Sequence, residues 1–185
     1  MRATRMATLT SLVLVALLAS ACNLGASTTV PSTTVPSTAR PCSTAQLSVT
    51  LGRGNGTAGS VYVPLQSRNR GSSACTLYGY PGVSYVTGAG GNQVGRAAQR
   101  MGPVGTKSVE AVVTLAPGSV AQATLRAIDV GNFPASTCSA IPVGGLRVYP
   151  PGQTTAAFVP DVTRGCTQSG PVQLGIDFFL QEPTG

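Results

Sequence analysis

The sequence contains no histidine and no tryptophan, and only 9% of its 185 residues are charged. Without histidine there is no Ser-His-Asp or Cys-His nucleophile, no imidazole zinc site and no proximal-histidine haem. Five Asp and Glu, against twelve Lys and Arg, leave little material for carboxylate metal cages or acid–base pairs. No C-x-x-C pair occurs, which argues against zinc and redox-motif chemistry. No apolar run reaches the ~20 residues that a membrane-spanning helix requires. The expectation is no cofactor, no metal and no nominated catalytic residue.

What is present defines an exported protein. Hydrophobic residues make up 42% of the chain, enough to bury a core, and the length suits one domain with appendages. Arg2 and Arg5 precede an apolar stretch from Leu9 to Leu18, and Ala19-Ser20-Ala21 leads to Cys22. That is the three-part pattern of a secretory signal, spanning residues 1–21. Leu18-Ala19-Ser20-Ala21-Cys22 resembles a bacterial lipobox, in which Cys22 would carry diacylglycerol; it departs from the commonest form in having Ala19 where Leu is usual. Ala19-x-Ala21 alone would also suit an ordinary signal peptidase and leave a secreted chain. Cysteine arithmetic favours the lipid, because Cys42, Cys75, Cys138 and Cys166 can pair among themselves and acylation would remove the leftover thiol. The expected location is the outer face of the cell membrane, with secretion as the alternative.

Residues 22–41 then form a tether. Thr28-Thr29-Val30-Pro31-Ser32 repeats as Thr33-Thr34-Val35-Pro36-Ser37. Ser/Thr/Pro repeats without large apolar residues pack no core and favour extended, polyproline-like spacers. The folded domain is expected over 42–185.

Within that domain the pattern has period two. Leu47, Val49 and Leu51; Val61, Val63 and Leu65; Val109, Ala111, Val113 and Leu115; Ala121, Ala123, Leu125 and Ala127; and Val172, Leu174, Ile176, Phe178 and Leu180 each line one face. Such alternation marks half-buried strands. Gln173, Asp177 and Glu110 fall on the expected solvent faces, and Asp129 and Asp161 in turns. Tyr80-Pro81-Gly82, Ala116-Pro117-Gly118 and Pro151-Gly152 read as turns with the glycine at positive φ. Asn55-Gly56 signals the first hairpin, and Pro64, lacking an N–H, places its strand at an edge. Gly95–Met101 is the nearest approach to a helix. The fold class is therefore all-β, an immunoglobulin-like sandwich or partly open barrel. Four cysteines allow three pairings; Cys42–Cys75 with Cys138–Cys166 is favoured because each closes a local loop, and the other two remain open.

The segments CTLYGYPGV (Cys75–Val83), LAPG (Leu115–Gly118) and LRVYPPG (Leu146–Gly152), with Cys138 and Cys166 in order, resemble the actinobacterial domain of unknown function 4232 over about residues 42–175. The resemblance implies an exported, often lipid-anchored, cysteine-bearing β-rich domain with no established activity. It supplies no catalytic residue.

Other motifs carry little chemistry. Gly54-x-Gly56-x-x-Gly59 matches a dinucleotide fingerprint in letters, but an alternating strand follows it where a helix N-terminus is needed. From Arg40 onward ten basic residues face five acidic ones. Arg68 with Arg70, and Arg96 with Arg100, form two small clusters, and Tyr78 and Tyr80 flank Gly79 before a turn. These six residues are the candidate binding surface, for an anionic cell-wall polymer or another envelope protein. Nucleic acid is not an expected partner, since the protein is exported and no aromatics interleave with its basic residues. The function expected is a non-enzymatic, membrane-anchored binding module. An envelope hydrolase using paired carboxylates and a purely structural wall-associated protein are the alternatives.

Overall fold

The structure, a computed structural model, describes residues 39–103, 108–167 and 169–181. The expected signal peptide, Cys22 and the Thr/Ser/Pro repeat lie outside the described residues. Among the described residues thirteen strands follow one another: β1 (Leu47–Leu51), β2 (Asn55–Thr57), β3 (Ser60–Asn69), β4 (Cys75–Tyr78), β5 (Gly82–Val86), β6 (Gln93–Val94), β7 (Gln99–Arg100), β8 (Val112–Leu115), β9 (Val120–Ile128), β10 (Ile141–Tyr149), β11 (Ala157–Gly165), β12 (Leu174–Ile176) and β13 (Leu180–Gln181). One short helix, α1 (Ala135–Cys138), precedes β10.

The strands form an all-β sandwich. The large sheet runs β1-β3-β9-β12-β7, with β2 also pairing β3 and β13 also pairing β9. A second sheet runs β11-β10-β5-β6, and β4 pairs with β8 as a separate ribbon. Leu65, Ala123 and Leu125 from the large sheet meet Val83, Leu146 and Val148 from the second and Leu77 and Leu115 from the ribbon in one core. Burying each Leu or Val side chain contributes about 1.5–3 kcal/mol. Ala121, Ala123 and Leu125 keep the alternation expected of β9.

Three bulges reshape the expected strands. Leu51 faces Leu65 and Asn55 faces Tyr62, so Gly52, Arg53 and Gly54 stand against only Val63 and Pro64. Thr163 faces Val143 and Pro160 faces Gly145, so Asp161 and Val162 stand against Gly144 alone. Ile176 faces Leu125 and Leu180 faces Gln122, so Asp177, Phe178 and Phe179 stand against two residues of β9. An extra residue bends a strand and turns side chains that alternation would place outside.

Several expectations are corrected. Pro64 lies not at an edge but in β3, between β1 and β9. Its carbonyl accepts from the Gly52 N–H at 2.8 Å. Its nitrogen therefore points at the first bulge, where no ladder bond is required. The first hairpin turns at Ala58-Gly59, both at positive φ, while Asn55-Gly56 belongs to β2; two central residues at positive φ make the turn type that suits strand twist. Gly118 and Gly152 take positive φ as expected, but Gly82 opens β5 and Gly79 is the left-handed residue instead. Asp161 is inside β11 rather than in a turn. Gln173 and Asp177 are buried rather than solvent-facing: Gln173 is enclosed by the Ile128, Arg164 and Cys166 backbone it bonds, and Asp177 keeps the side opposite Leu174 and Ile176, where it meets Thr124. Val109 and Ala111 are exposed ahead of β8 rather than part of it. Within Gly95–Met101, residues Gln99–Arg100 are a short strand parallel to β12.

Both disulfides join the local pairs. Cys42–Cys75 fastens the start of the domain to β4, and Cys138–Cys166 ties α1 to the end of β11, with Cα separations of 4.8 and 4.5 Å. Closing loops of this length stabilises by about 3–4 kcal/mol each in the chain-entropy account. Pro41 bridges Thr76 beside the first of them.

Candidate interaction face

The β4–β8 ribbon buries Cys75, Leu77, Val113 and Leu115 and turns Thr76, Tyr78, Val112 and Thr114 outward. Tyr78 stands directly opposite Val112, and Thr76 opposite Thr114. Side chains so paired have Cβ atoms roughly 5 Å apart. Tyr78 is 59% exposed and Val112 62%. Val109, just ahead of β8, is exposed as well. The fold gains little from these three exposed side chains.

Where β4 ends, Gly79 turns at φ +90°, and a side chain there would strike the Glu110 carboxylate, with Cβ 2.6 Å from Oε1. Glu110 thus covers the turn between the two tyrosines. The Tyr80 ring meets Phe178 edge-on, centroids 5.6 Å apart and planes at 89°. Arg100 lies over the Tyr80 ring at 5.4 Å. Arg100 is brought there by β7, whose pairing with β12 sets it opposite Ile176. Such a cation–ring contact is worth about 0.5–1 kcal/mol when exposed.

Of the six residues proposed from sequence, Tyr78, Tyr80 and Arg100 gather at the C-terminal end of β4. Arg68 and Arg70 lie past its other end, some 10 Å of strand away: Arg68 Nη1 donates to the Gly118 carbonyl at 2.6 Å, and the Arg70 N–H donates to Gln46. Between them Asn69, fully buried, donates through Nδ2 to Ser73 and Leu115 and fixes that corner. Arg96 is exposed in the link between β6 and β7. The two Arg clusters are therefore separate features. Phe178, Val112 and Glu110 complete the face. The only sequence signal for any of them is the β-strand alternation, which marks Phe178 as core.

The acids divide between surfaces. Asp177 shares with Thr124 the outer side of the large sheet; burial raises its carboxyl from 3.8 to about 6, and a hydrogen bond from the Thr124 hydroxyl offsets part of that rise. Burial also raises the Asp161 carboxyl, in the second sheet. Tyr85 is pushed well above the ordinary phenol range by burial and, secondarily, by the charge of Asp161. Asp129 accepts from the Gly131 N–H and caps a turn. A concavity of about 240 Å³ opens between the sheets, lined by Val61, Tyr85, Asp129, Arg164 and Gln173. Its polar groups serve the fold: Gln173 bonds Ile128, Arg164 and Cys166 backbone, and Arg164 donates to the Ala140 carbonyl. Among the described residues no three His, Cys, Asp or Glu side chains group as a metal site.

Residues 42–177 match the family model Domain of unknown function (DUF4232). The chain belongs to the DUF4232 family. The match runs from the first disulfide cysteine to the buried Asp177, so all four paired cysteines, the β4–β8 ribbon and Arg100 fall within the DUF4232 domain. No curated protein and no solved structure matches the chain.

Proposed function

We propose that this DUF4232 protein is a non-enzymatic interaction module, anchored through lipid on Cys22 to the outer face of the cell membrane. It holds another protein of the envelope against the Tyr78–Val112 face. The export pattern of residues 1–22 and the following tether support the location. The observation that carries the binding role is the exposed Tyr78–Val112 pair beside Arg100 on Tyr80. Tyrosine and arginine at the edge of a small apolar patch suit a protein interface. A protein is favoured over an anionic polymer because the arginine clusters do not converge and Glu110 sits within the patch.

The test is a photo-crosslinking residue placed at Tyr78 in the intact protein on its own cells, with Val162, 91% exposed, as the control position. A discrete protein adduct from position 78, absent from 162 and reduced at least several-fold by Arg100→Ala or Val112→Ser, is expected. Equal adducts at both positions would overturn the reading, and retention on wall polymer that depends on Arg68 and Arg70 instead would transfer the role to that cluster.

A further inference from the structure

The bulge between β12 and β13 is stitched at both ends. The Asp177 N–H donates to the Thr124 carbonyl and the Phe179 N–H to the Gly79 carbonyl, both at 3.1 Å. Between those bonds lie the Asp177 carboxylate, 3% exposed, and the Phe178 ring that meets Tyr80. The carboxylate is poorly served. Oδ1 is buried with no hydrogen-bond partner among the described residues. The charged and titratable groups on the elements packed against the bulge are Arg126 on the same side of β9, Arg100 on β7, and Tyr80 and Glu110 at the Gly79 turn, and none of their charges shifts the Asp177 carboxyl. Neither guanidinium pairs with it, and Arg126 Nε is itself buried and unpartnered. An ionised carboxylate held this way lacks the solvation it would have in water, whereas a protonated one forgoes much less.

We propose that Asp177 is an acid-sensing latch on the interaction face. Protonated, it keeps the bulge closed, with Phe178 seated on Tyr80 and Tyr80 under Arg100. Ionised, it draws water to Oδ1, opens the bulge and loosens the ring that positions Arg100. This rests on the Tyr78–Tyr80 face being the binding surface, but the latch is readable without any partner. Burial places the change near pH 6, inside the range an exported protein meets.

The experiment follows the carboxyl carbons and the aromatic ring protons of the exported chain by NMR from pH 4.5 to 7.5, with Cys22→Ser to leave it unlipidated. Only Asp129, Asp161 and Asp177 contribute Asp carboxyl signals. The expected result is that the Asp177 carbon and the Tyr80 and Phe178 rings titrate with one midpoint near 6, and that Asp177→Asn abolishes the ring titration. Thr124→Val, which removes the hydroxyl bond favouring the ionised form, should move that midpoint upward. Rings that stay fixed while Asp177 titrates, or ring titration that survives Asp177→Asn, would overturn the latch. Failure of the position-78 crosslink with an intact ring titration would instead overturn only the binding reading.

Discussion

Arg100 sits over the face of Tyr80, and the same ring stands perpendicular to Phe178, so one half-buried tyrosine joins a surface cation to the core. The three come from β7, from the turn after β4 and from the β12–β13 bulge, segments far apart in the chain. Their contributions should be unequal. Phe178→Ala empties a buried ring site and should cost about 3–4 kcal/mol. Tyr80→Phe keeps the ring and should fall within about 0.5 kcal/mol of the parent, and Arg100→Ala should lose no more than about 1 kcal/mol. Urea unfolding of the three variants checks the order; an Arg100→Ala loss as large as that of Phe178→Ala would show that the cation supports the core.

Stability should rise on acidification. Asp177 has a folded-state pKa of about 6 against an ordinary 3.8. The native form therefore binds more protons than the unfolded chain between those values. Its contribution is full below about pH 4 and is lost as pH rises through about 6. At about 1.4 kcal/mol per pH unit that amounts to roughly 3 kcal/mol. Asp161, raised in the same direction by burial, adds with the same sign. Asp177→Asn should consequently stabilise the protein at pH 7.5 and do nothing at pH 4. Melting curves at both pH values decide it, and equal effects at the two would show that Asp177 does not titrate as argued.

Much of the fold is legible from period-two alternation and the cysteine spacing, because both are local properties of the chain. The β9 face, the Leu65 end of the β3 face and the local disulfide pairs follow from them, whereas Val61 at the other end of β3 is exposed. What escapes is what the bulges create. Nothing in Gly175–Leu180 announces that an extra residue against β9 will bring Phe178 to Tyr80, or that the side Asp177 faces is covered. Pro64 misleads for the same reason: its missing N–H is harmless only because Gly52–Gly54 bulge away from it. The candidate face was half visible. Tyr78 and Tyr80 stand out beside a turn, but Val112 and Arg100 join them through strand pairing that only the folded chain supplies.

The turn at Ala58-Gly59 is a local weakness. Ala58 is held at φ 46°, in the left-handed region where a Cβ costs about 1–2 kcal/mol. Ala58→Gly and Ala58→Asn should each raise stability by up to about 1 kcal/mol, since the position lies in an exposed two-residue hairpin loop. A neutral or destabilising Ala58→Asn, measured by thermal melting, would mean the loop is not held in this conformation.

Two glycines offer a sharper contrast. Gly95 lies at φ +70°, and a Cβ there would come within 2.5 Å of the Cys166 carbonyl oxygen, backbone that the Cys138–Cys166 bond holds in place. Gly175 would instead meet Met101, whose Sδ at 2.3 Å and Cε at 2.6 Å belong to a flexible side chain over the outer face of the large sheet. Steric conflict with fixed backbone, added to left-handed strain, predicts a loss of more than about 2 kcal/mol for Gly95→Ala. Gly175→Ala should lose about 1 kcal/mol or less, because Met101 can swing to another rotamer. If Gly175→Ala proves the more damaging, Met101 is not a movable cover but a fixed support of β12 and of the Asp177 bulge beyond it.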